Sequence, residues 1–355
     1  MRRFTSVLIA LVVACSCSQP PDEETVAIPR WSFDESMFFP ADRSLVRPED
    51  GVALADGKLL VADQMDGLRL VFPDGTTRPF GRFAEAGYLH DPPARAGGPN
   101  GVSLEPDGSH VLVADVLSGA IFRVDITSEA TELVYQHPFG VNVARRDGTG
   151  AVWFTQSTEN AGPDSQLRLL AAFDDTSLSD GALFRIAPGT PGEPLPAPVR
   201  VVSDLYFANG FVIDEKTGHL YLAETGGDRI YAFTVDIDTG DLSDRRVLAE
   251  IATPDNLELD DAGRLWVACP LRNEVFVVDP GTGQATSVFR AASPSSDHML
   301  AEWYRRGAAG EPRLDLFVPE TWAPLPGLLT GMILTPGDEA MYLTGTGDAL
   351  VRLPR

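Results

Sequence analysis

The sequence predicts an all-β fold, a six-bladed β-propeller with four-stranded antiparallel blades and two short helical insertions. Residues 209–233 and 255–278 share one pattern: a polar amide or acid, an alternating apolar run, a Gly-containing turn and two further apolar runs. Alternation broken by such turns is typical of an antiparallel meander. Related patterns occur at 49–71, 100–124, 142–155 and 330–352. Six meanders without helical periodicity favour closure into a ring over an open solenoid.

Each of the six copies begins with a residue that we take as the start of an innermost strand. These residues are Glu49, Asn100, Asn142, Asn209, Asp255 and Thr330. The last copy leaves too few residues for a complete blade. A strand from residues 31–46 is therefore predicted to complete the final blade, because this removes an exposed sheet edge.

Two insertions interrupt the repeat. Residues 156–198 contain a short helical run near 166–173, and residues 291–327 contain a second helix for which Ser296 or Asp297 is the predicted N-cap. Long insertions on a rigid scaffold often cover a binding site, and peripheral packing is the alternative.

Composition limits the classes of partner. The 355 residues carry a formal charge of −23, with Lys58 and Lys216 as the two lysines. This balance argues against nucleic acid or an anionic membrane surface as a partner, because binding to phosphates needs a basic stripe. We interpret the acidity as a solvated surface and expect a monomer.

The N-terminus has the features of an export signal. Met1-Arg2-Arg3 is basic, Val7 to Val13 is apolar, and Val12-Val13-Ala14-Cys15 resembles a bacterial lipobox. We predict a signal peptide over 1–14, a tether lipidated at Cys15 over 15–30, and a propeller over 31–355. An ordinary signal peptide cut elsewhere is the alternative. The prediction places an exported bacterial lipoprotein on the periplasmic face of a membrane or the cell surface.

The residues that begin the inner strands also suggest a metal site. Five of the six carry a carboxylate or a carboxamide, where an ordinary strand would place an apolar side chain. Converging oxygens without Cys or His suit a hard cation, and Ca²⁺ more than Zn²⁺. Asp50, Asn100 and Asn256 are possible additional contacts to the metal or to a substrate, and Asp50 and Asn256 could instead serve a second cation.

Several short motifs, taken in order, carry a family resemblance that covers roughly Pro48 to Arg352. They are Asn209-Gly210, Ala223-Glu224-Thr225, Arg229-Ile230, Pro254-Asp255-Asn256 and Trp266-Val267-Ala268. The chain resembles strictosidine synthase-like proteins and, more loosely, paraoxonases and the gluconolactonases related to senescence marker protein. Membership of this superfamily does not define the reaction, because the superfamily includes a synthase, lactonases and arylesterases.

The resemblance implies calcium at the channel mouth, held by Glu49, Asn142, Asn209 and Asp255. Asn142 is the weakest of these matches, because its alignment depends on which glycine marks the following turn. Counting back from Gly150 puts Asn142 at the ligand position, whereas counting back from Gly148 puts Gly140 there. The implied activity is hydrolysis of lactones or aryl esters by metal-activated water, a carboxylic-ester hydrolase of EC 3.1.1 type, with Asp255 as the base.

Alternative bases and an alternative class of function stay open. His137 and His298 are secondary candidates for the base. Asn100 stands where paraoxonases carry a His, and Thr330 begins the blade where the synthase has its catalytic Glu. The alternative function is a non-catalytic, calcium-stabilised propeller that binds a small ligand or a protein.

Overall fold

A computed structural model describes residues 28–190, 195–336 and 340–354. It confirms the predicted propeller, with six antiparallel sheets around one axis. The predicted signal peptide, Cys15 and most of the tether lie outside the described residues. Cys269 is a buried free thiol.

The first half of the chain forms two N-terminal strands and three blades. The N-terminal strands are β1 (Trp31–Ser32) and β2 (Phe38–Phe39). Blade one is β3 (Gly51–Ala53), β4 (Leu59–Asp63), β5 (Gly67–Val71) and β6 (Thr77–Phe80). Blade two is β7 (Pro99–Leu104), β8 (His110–Asp115), β9 (Ala120–Asp125) and β10 (Thr131–Gln136). Blade three is β11 (Ala144–Arg146), β12 (Val152–Gln156), β13 (Gly181–Ile186) and β14 (Val199–Leu205).

The second half forms the other three blades. Blade four is β15 (Ala208–Asp214), β16 (His219–Glu224), β17 (Arg229–Val235) and β18 (Leu242–Glu250). Blade five is β19 (Leu257–Leu259), β20 (Leu265–Cys269), β21 (Glu274–Val278) and β22 (Ala285–Arg290). Blade six is β23 (Leu329–Ile333), β24 (Met341–Gly345) and β25 (Leu350–Leu353).

Glycines in the first hairpins of blades one, three and five set the register of the inner strands. Gly57, Gly150 and Gly263 have φ angles of 79°, 92° and 75°, a left-handed conformation that favours glycine. In blade three the amide of Gly150 donates to the Asp147 carbonyl at 3.0 Å. Gly148 is not in the left-handed region. The turn therefore follows the alignment in which Asn142 occupies the same repeat position as Glu49 and Asp255.

Apolar side chains fill the space between neighbouring blades. Between blades one and two, for example, Leu60, Val113 and Phe122 belong to one buried cluster. Burying such side chains contributes roughly 1.5–3 kcal/mol each, which fixes the blades around the axis.

The N-terminal segment closes the ring, as predicted. Strand β2 pairs antiparallel with β25, with Phe38 opposite Val351, and so supplies the fourth strand of blade six. Strand β1 makes an unpredicted addition, because it pairs parallel with β22 as a fifth strand of blade five. The indole Nε1 of Trp31 donates to the Pro354 carbonyl at 2.6 Å.

The two insertions carry the helices α1 (Ser165–Ala171), α2 (Pro294–Ala309) and α3 (Pro319–Trp322). The predicted N-cap residues of α2, Ser296 or Asp297, were wrong by about one turn. The side chain of Ser293 accepts the amide of Ser296 at 3.2 Å, which leaves Ser296 and Asp297 inside the first turn. Among the described residues, no helix has the length and apolar character needed to cross a membrane.

Both insertions pack into one unit, which we call the cap. Its buried side chains include Phe173 from the first insertion and Trp303 and Leu316 from the second, together with Phe207 and Leu271 from blades four and five. The ring of Phe173 stacks on Phe207 at 4.5 Å between centroids. The cap therefore rests on the loop that leads into Asn209.

Candidate metal centre

The residues that begin the inner strands meet at one mouth of the central channel, and all six are buried. They are Glu49, Asn100, Asn142, Asn209, Asp255 and Thr330. Neighbouring copies are linked through the backbone, where Gly101 donates to the Asn142 carbonyl at 2.9 Å and Asn256 to the Thr330 carbonyl at 3.0 Å. A Cβ on Gly210 would lie 2.6 Å from the Cα of Asn256. Glycine at 210 thus allows blades four and five to approach closely here.

Four buried oxygen atoms at this mouth have no hydrogen-bond partner among the described residues. They are Glu49 Oε2, Asn209 Oδ1, Asp255 Oδ1 and Asn256 Oδ1. Buried polar atoms in folded proteins are nearly always paired, so a group of unpaired oxygens indicates a missing donor or cation. Two carboxylates and two carboxamides are ligands that suit Ca²⁺. The residues present therefore fit the metal that the sequence predicted.

Hydroxyl groups just after the second strand of the same blade orient the carboxamides of Asn209 and Asn142. Asn209 Nδ2 donates to Thr225 Oγ1 at 3.0 Å, and that hydroxyl donates to the Pro254 carbonyl at 2.7 Å. Because its nitrogen is bound in this way, Asn209 keeps its oxygen free of protein donors. Asn142 Nδ2 is held in the same manner by Ser157 Oγ at 3.0 Å.

Asn100 and Asn142 differ from Asn209 because their oxygens already accept hydrogen bonds. Asn142 Oδ1 accepts from Asn100 Nδ2 at 3.2 Å, and Asn100 Oδ1 accepts from Arg47 Nη2 at 2.8 Å. Each oxygen retains a lone pair, so each can still bind a cation. They are less available than the oxygens of Asn209 and Asn256.

The two carboxylates destabilise each other electrostatically. Burial raises the pKa of Glu49 to about 7, against the lowering effect of Arg47 and of the Asn100 and Asn256 carboxamides. Burial, followed by repulsion from Glu49 and Asp50, raises the pKa of Asp255 well above its ordinary value. Ionised carboxylates in such a place need a positive charge between them.

Asp50, the residue after Glu49, is also buried and faces other charges. Its Oδ2 accepts the amide of Val102 at 2.9 Å, and burial followed by repulsion from Glu258 and Glu49 raises its pKa. Arg145 lies close enough to lower that pKa, and its guanidinium also pairs with Glu258. Asp50 thus has the Arg145 guanidinium close by, whereas no cationic group of the described residues contacts the four free oxygens directly.

At the opposite mouth of the channel, carboxylates lie beside arginines. A cavity of about 170 Å³ lies there, between the far ends of the inner strands. It is lined by Arg145 and Glu258, by Arg146 and by apolar residues that include Leu104 and Leu259.

The two histidines considered as bases occupy different surroundings. His137 is buried, its Nε2 lies 2.9 Å from Gln156 Oε1, and its ring packs edge-on against Phe154 and Phe184. Burial lowers its pKa. His298 is exposed on α2. His137 has the surroundings of a packing residue and His298 those of a surface residue.

A second acidic group, at the other end of the blades, is already neutralised. Glu105, Asp107 and His110 bring ligand atoms within 4.8 Å of one another. However, Glu105 pairs with Arg123 at 2.8 Å and Arg146 at 2.7 Å. Burial raises its pKa, but these two guanidinium groups outweigh burial and hold the pKa below its ordinary value.

Sequence reasoning missed the residues that surround the mouth. Arg47, Thr225 and Arg145 contact the predicted ligands or their neighbours, but they hold no common position in the repeat. A signal for Thr225 was present, because it follows the strand that pairs with the one bearing Asn209. Arg47 and Arg145 had no signal beyond a basic residue in an acidic chain.

The fold and this mouth define a class, the six-bladed β-propellers with a buried, oxygen-rich channel mouth. Residues 137–296 match the family model described as SMP-30/Gluconolactonase/LRE-like region. The predicted resemblance to gluconolactonases and senescence marker protein is thereby confirmed. The match covers the part of the chain that includes Asn142, Asn209 and Asp255.

Curated relatives match over shorter stretches. Regucalcin from Danio rerio is 32% identical over 111 residues, which are 30% of this chain and 35% of that protein. Regucalcin from Xenopus laevis is 36% identical over 76 residues, or 20% of this chain and 25% of that protein. An uncharacterised protein from Sulfolobus acidocaldarius is 28% identical over 99 residues, 27% of this chain and 36% of that one. The chain thus spans about a third or less of these relatives.

Solved structures match over nearly the whole chain. A gluconolactonase from Xanthomonas campestris has a TM-score of 0.58 and 20% identity, covering 88% of this chain and 87% of that one. A calcium-binding regucalcin from Agrobacterium tumefaciens has a TM-score of 0.57 and 13% identity, covering 92% and 95%. At such identities the likeness shows the fold.

Proposed function

We propose that this protein is a calcium-dependent hydrolase of lactones. The observation that carries the proposal is the group of four unpaired buried oxygens on Glu49, Asn209, Asp255 and Asn256. The gluconolactonase family match and the regucalcin relatives support it. Aryl esters, which the sequence left equally open, become the second substrate class.

The proposed ligands are Glu49, Asn209 and Asp255, with Asn142 as a fourth and Asn256 as a neighbouring oxygen. Bound calcium supplies a Lewis acid that polarises the substrate carbonyl and stabilises the negative charge that develops on its oxygen. Three further features come from the chain itself. The proposed ligands are buried, the carboxamides are held in fixed orientations, and Asp255 presents a carboxylate oxygen with no donor among the described residues.

Asp255 is the proposed general base. Its Oδ1 has no hydrogen-bond partner in the described chain. In the metal-free protein, burial, followed by repulsion from Glu49 and Asp50, raises its pKa. In the reaction it takes a proton from the attacking water as the water oxygen bonds to the carbonyl carbon. The ring C–O bond then breaks, and the proton passes to the leaving alkoxide. The product is a hydroxy acid.

The substitution Asp255→Asn tests this role, because it keeps the size and an oxygen ligand while removing the base. At saturating calcium, kcat on the best lactone is expected to fall by roughly 10²–10⁴-fold. Asp261→Asn, in the exposed turn of the same blade, is the matched control and should leave kcat unchanged. Calcium occupancy is measured by titration calorimetry for each variant. A kcat near that of wild type at full occupancy would make Asp255 a ligand only.

A panel of lactones and phenyl esters, with calcium or with chelator, separates this proposal from its alternative. Turnover that disappears with chelator supports the hydrolase. Calcium binding without turnover of any ester would favour the non-catalytic propeller that binds a small ligand or a protein.

We also propose that the propeller is exported and anchored by a lipid on Cys15. The support is the basic start of the chain, its apolar run and the Val-Val-Ala-Cys sequence that follows.

A further inference from the structure

Arg47 lies beside the candidate metal centre in an uncommon backbone conformation. Its φ is 56°, in the left-handed region, and its amide donates to the Gly347 carbonyl at 2.9 Å. Its own carbonyl accepts the amide of Glu49 at 2.8 Å. This tight turn brings the Arg47 side chain to the same mouth that receives Glu49. Non-glycine residues in this region cost free energy and concentrate at functional sites.

Neutral acceptors hold the guanidinium of Arg47. Nη1 donates to the Pro99 carbonyl at 2.9 Å, and Nη2 donates to Asn100 Oδ1 at 2.8 Å. These bonds use two of its five N–H groups. No carboxylate of the described chain forms a direct ion pair with it. The residue is half-buried, and its two hydrogen bonds fix the orientation of the guanidinium plane.

The charge of Arg47 nevertheless acts on both metal-binding carboxylates. Its proximity opposes the burial that raises the pKa values of Glu49 and Asp255. Once a divalent cation neutralises these two carboxylates, the Arg47 guanidinium lies beside the cation without a carboxylate of the described chain in direct contact. A carboxylate that reaches both the cation and the guanidinium would complete this arrangement.

We propose that Arg47 is an anion-binding residue that, together with the metal, binds the carboxylate of a small monocarboxylic acid at the channel mouth. The calcium half of this site rests on the proposed function. The geometry adds the guanidinium, whose planar donors match a carboxylate. The hydroxy acid released by lactone hydrolysis is such a monocarboxylate. Arg47 would therefore set the affinity for product and for lactones that themselves carry a carboxylate.

Calorimetric titration of the calcium-loaded protein with 4-hydroxybutyrate tests the proposal. Arg47→Met is expected to weaken binding at least about tenfold, since it removes a charge-assisted hydrogen bond. Arg47→Lys keeps the positive charge but lacks the planar pair of donors, so its affinity for 4-hydroxybutyrate should lie between those of wild type and Arg47→Met. Both variants retain a Cβ, so the strain at residue 47 is unchanged. Arg43→Met, in the same segment and exposed in a surface pair with Asp348, is the matched control.

Calcium affinity, measured separately, distinguishes binding of an anion from simple charge balance. Removing a nearby positive charge should leave calcium affinity equal or higher in Arg47→Met, opposite to the change for 4-hydroxybutyrate. The proposal is overturned if 4-hydroxybutyrate binds Arg47→Met as tightly as wild type, or if it binds neither.

Hydrolysis is a separate outcome. A protein that turns over no lactone but binds 4-hydroxybutyrate through Arg47 and calcium would contradict the proposed function and support this site. Lactone turnover by a protein in which Arg47→Met binds 4-hydroxybutyrate as wild type does would support the proposed function and contradict this site.

Discussion

At the scale of single residues, the channel mouth combines burial with like charges, and Glu49 shows the consequence most directly. Its pKa of about 7 lies above the ordinary value of 4.5 because the side chain is buried. At a pH between these two pKa values, Glu49 of the metal-free folded protein therefore holds a proton that the same residue has lost in the unfolded chain. Calcium must displace this proton to bind.

We predict that calcium affinity falls as pH is lowered below about 7, approaching a tenfold loss per pH unit. The reason is competition between the proton and calcium at Glu49. Calorimetric titrations from pH 5.5 to 8 measure it. Glu49→Gln should bind calcium weakly at every pH, whereas the exposed Glu85→Gln should follow wild type. An affinity independent of pH over this range would contradict the raised pKa.

The same pKa shift gives a stability prediction with a definite sign. A carboxyl whose pKa is raised by folding stabilises the folded chain at low pH, and this contribution is lost as pH rises from 4.5 to about 7. With chelator, the free energy of unfolding should therefore decrease by up to about 1.4 kcal/mol per pH unit from this residue. Urea unfolding of Glu49→Gln should show a shallower decrease than wild type.

Sequence alone located the polar residues of this site through their repeat position. Glu49, Asn209 and Asp255 begin equivalent strands, so a register argument finds them. Arg47 could not be found in that way, because its place at the mouth depends on a left-handed turn and on a contact with blade two. Position within a repeat is local information, whereas contacts between blades depend on the closed ring.

At the scale of secondary-structure elements, the cap connects the insertions to the strands that bear the proposed ligands. Trp303 on α2 is fully buried, and its Nε1 donates to both carboxylate oxygens of Asp228 at 2.9 and 3.0 Å. Asp228 Oδ1 also accepts the amide of Thr253 at 2.9 Å, two residues before Asp255. The guanidinium of Arg313 lies over the Trp303 ring at 3.7 Å. The cap thus supports the loop that positions Asp255.

We predict that Trp303→Phe loosens the cap without unfolding the blades. It keeps an aromatic ring but removes the hydrogen bonds to Asp228, a loss of roughly 1.5–3 kcal/mol for a charged acceptor. Hydrogen exchange should accelerate in Pro294–Ala309 while the strands of blades one and two stay protected. The control is Trp322→Phe, at the end of α3. Unchanged exchange in α2 would show that Asp228 does not hold the helix.

The insertions illustrate what could be predicted for an element. The apolar spacing of 299–304 indicated a helix, and α2 is present. Its partners were not predictable, since Phe173 lies more than a hundred residues earlier in another blade. The predicted N-cap residue of α2 was also wrong. Ser293 and Ser296 are both residue types preferred at an N-cap, and Pro294, which suits the first helical position, decides for Ser293.

At the scale of the whole molecule, the fold was predictable because a propeller repeats one local pattern. Strand alternation and turn glycines recur in the sequence of each blade, so an uncertain strand or turn assignment in one copy can be settled by comparison with the other copies. The N-terminal strand of blade six was inferred from the shortage of strands at the C-terminus. The pairing of β1 with blade five had no counterpart in the repeat and was therefore missed.

We predict that Cys15 carries a lipid. Wild-type protein expressed in a bacterium with lipoprotein processing should fractionate with membranes, and the mature chain should begin at a modified Cys15 by mass spectrometry. Cys15→Ser should give an unprocessed or soluble exported form. Cys269→Ser, which changes the buried thiol, should leave fractionation as in wild type. A mature wild-type chain without lipid would refute the prediction.

The way the N-terminal segment lies across two blades affects how copies of the protein can meet. Residues 31–39 cover the outer edges of blades five and six through only a few backbone pairs. A second molecule presents the same two edges, and the segment can satisfy them equally well there. Concentrated protein that refolds slowly is therefore prone to exchange this segment between copies. Such a domain-swapped dimer would contain two complete rings and no contact that the single ring lacks, apart from those at the crossing segments.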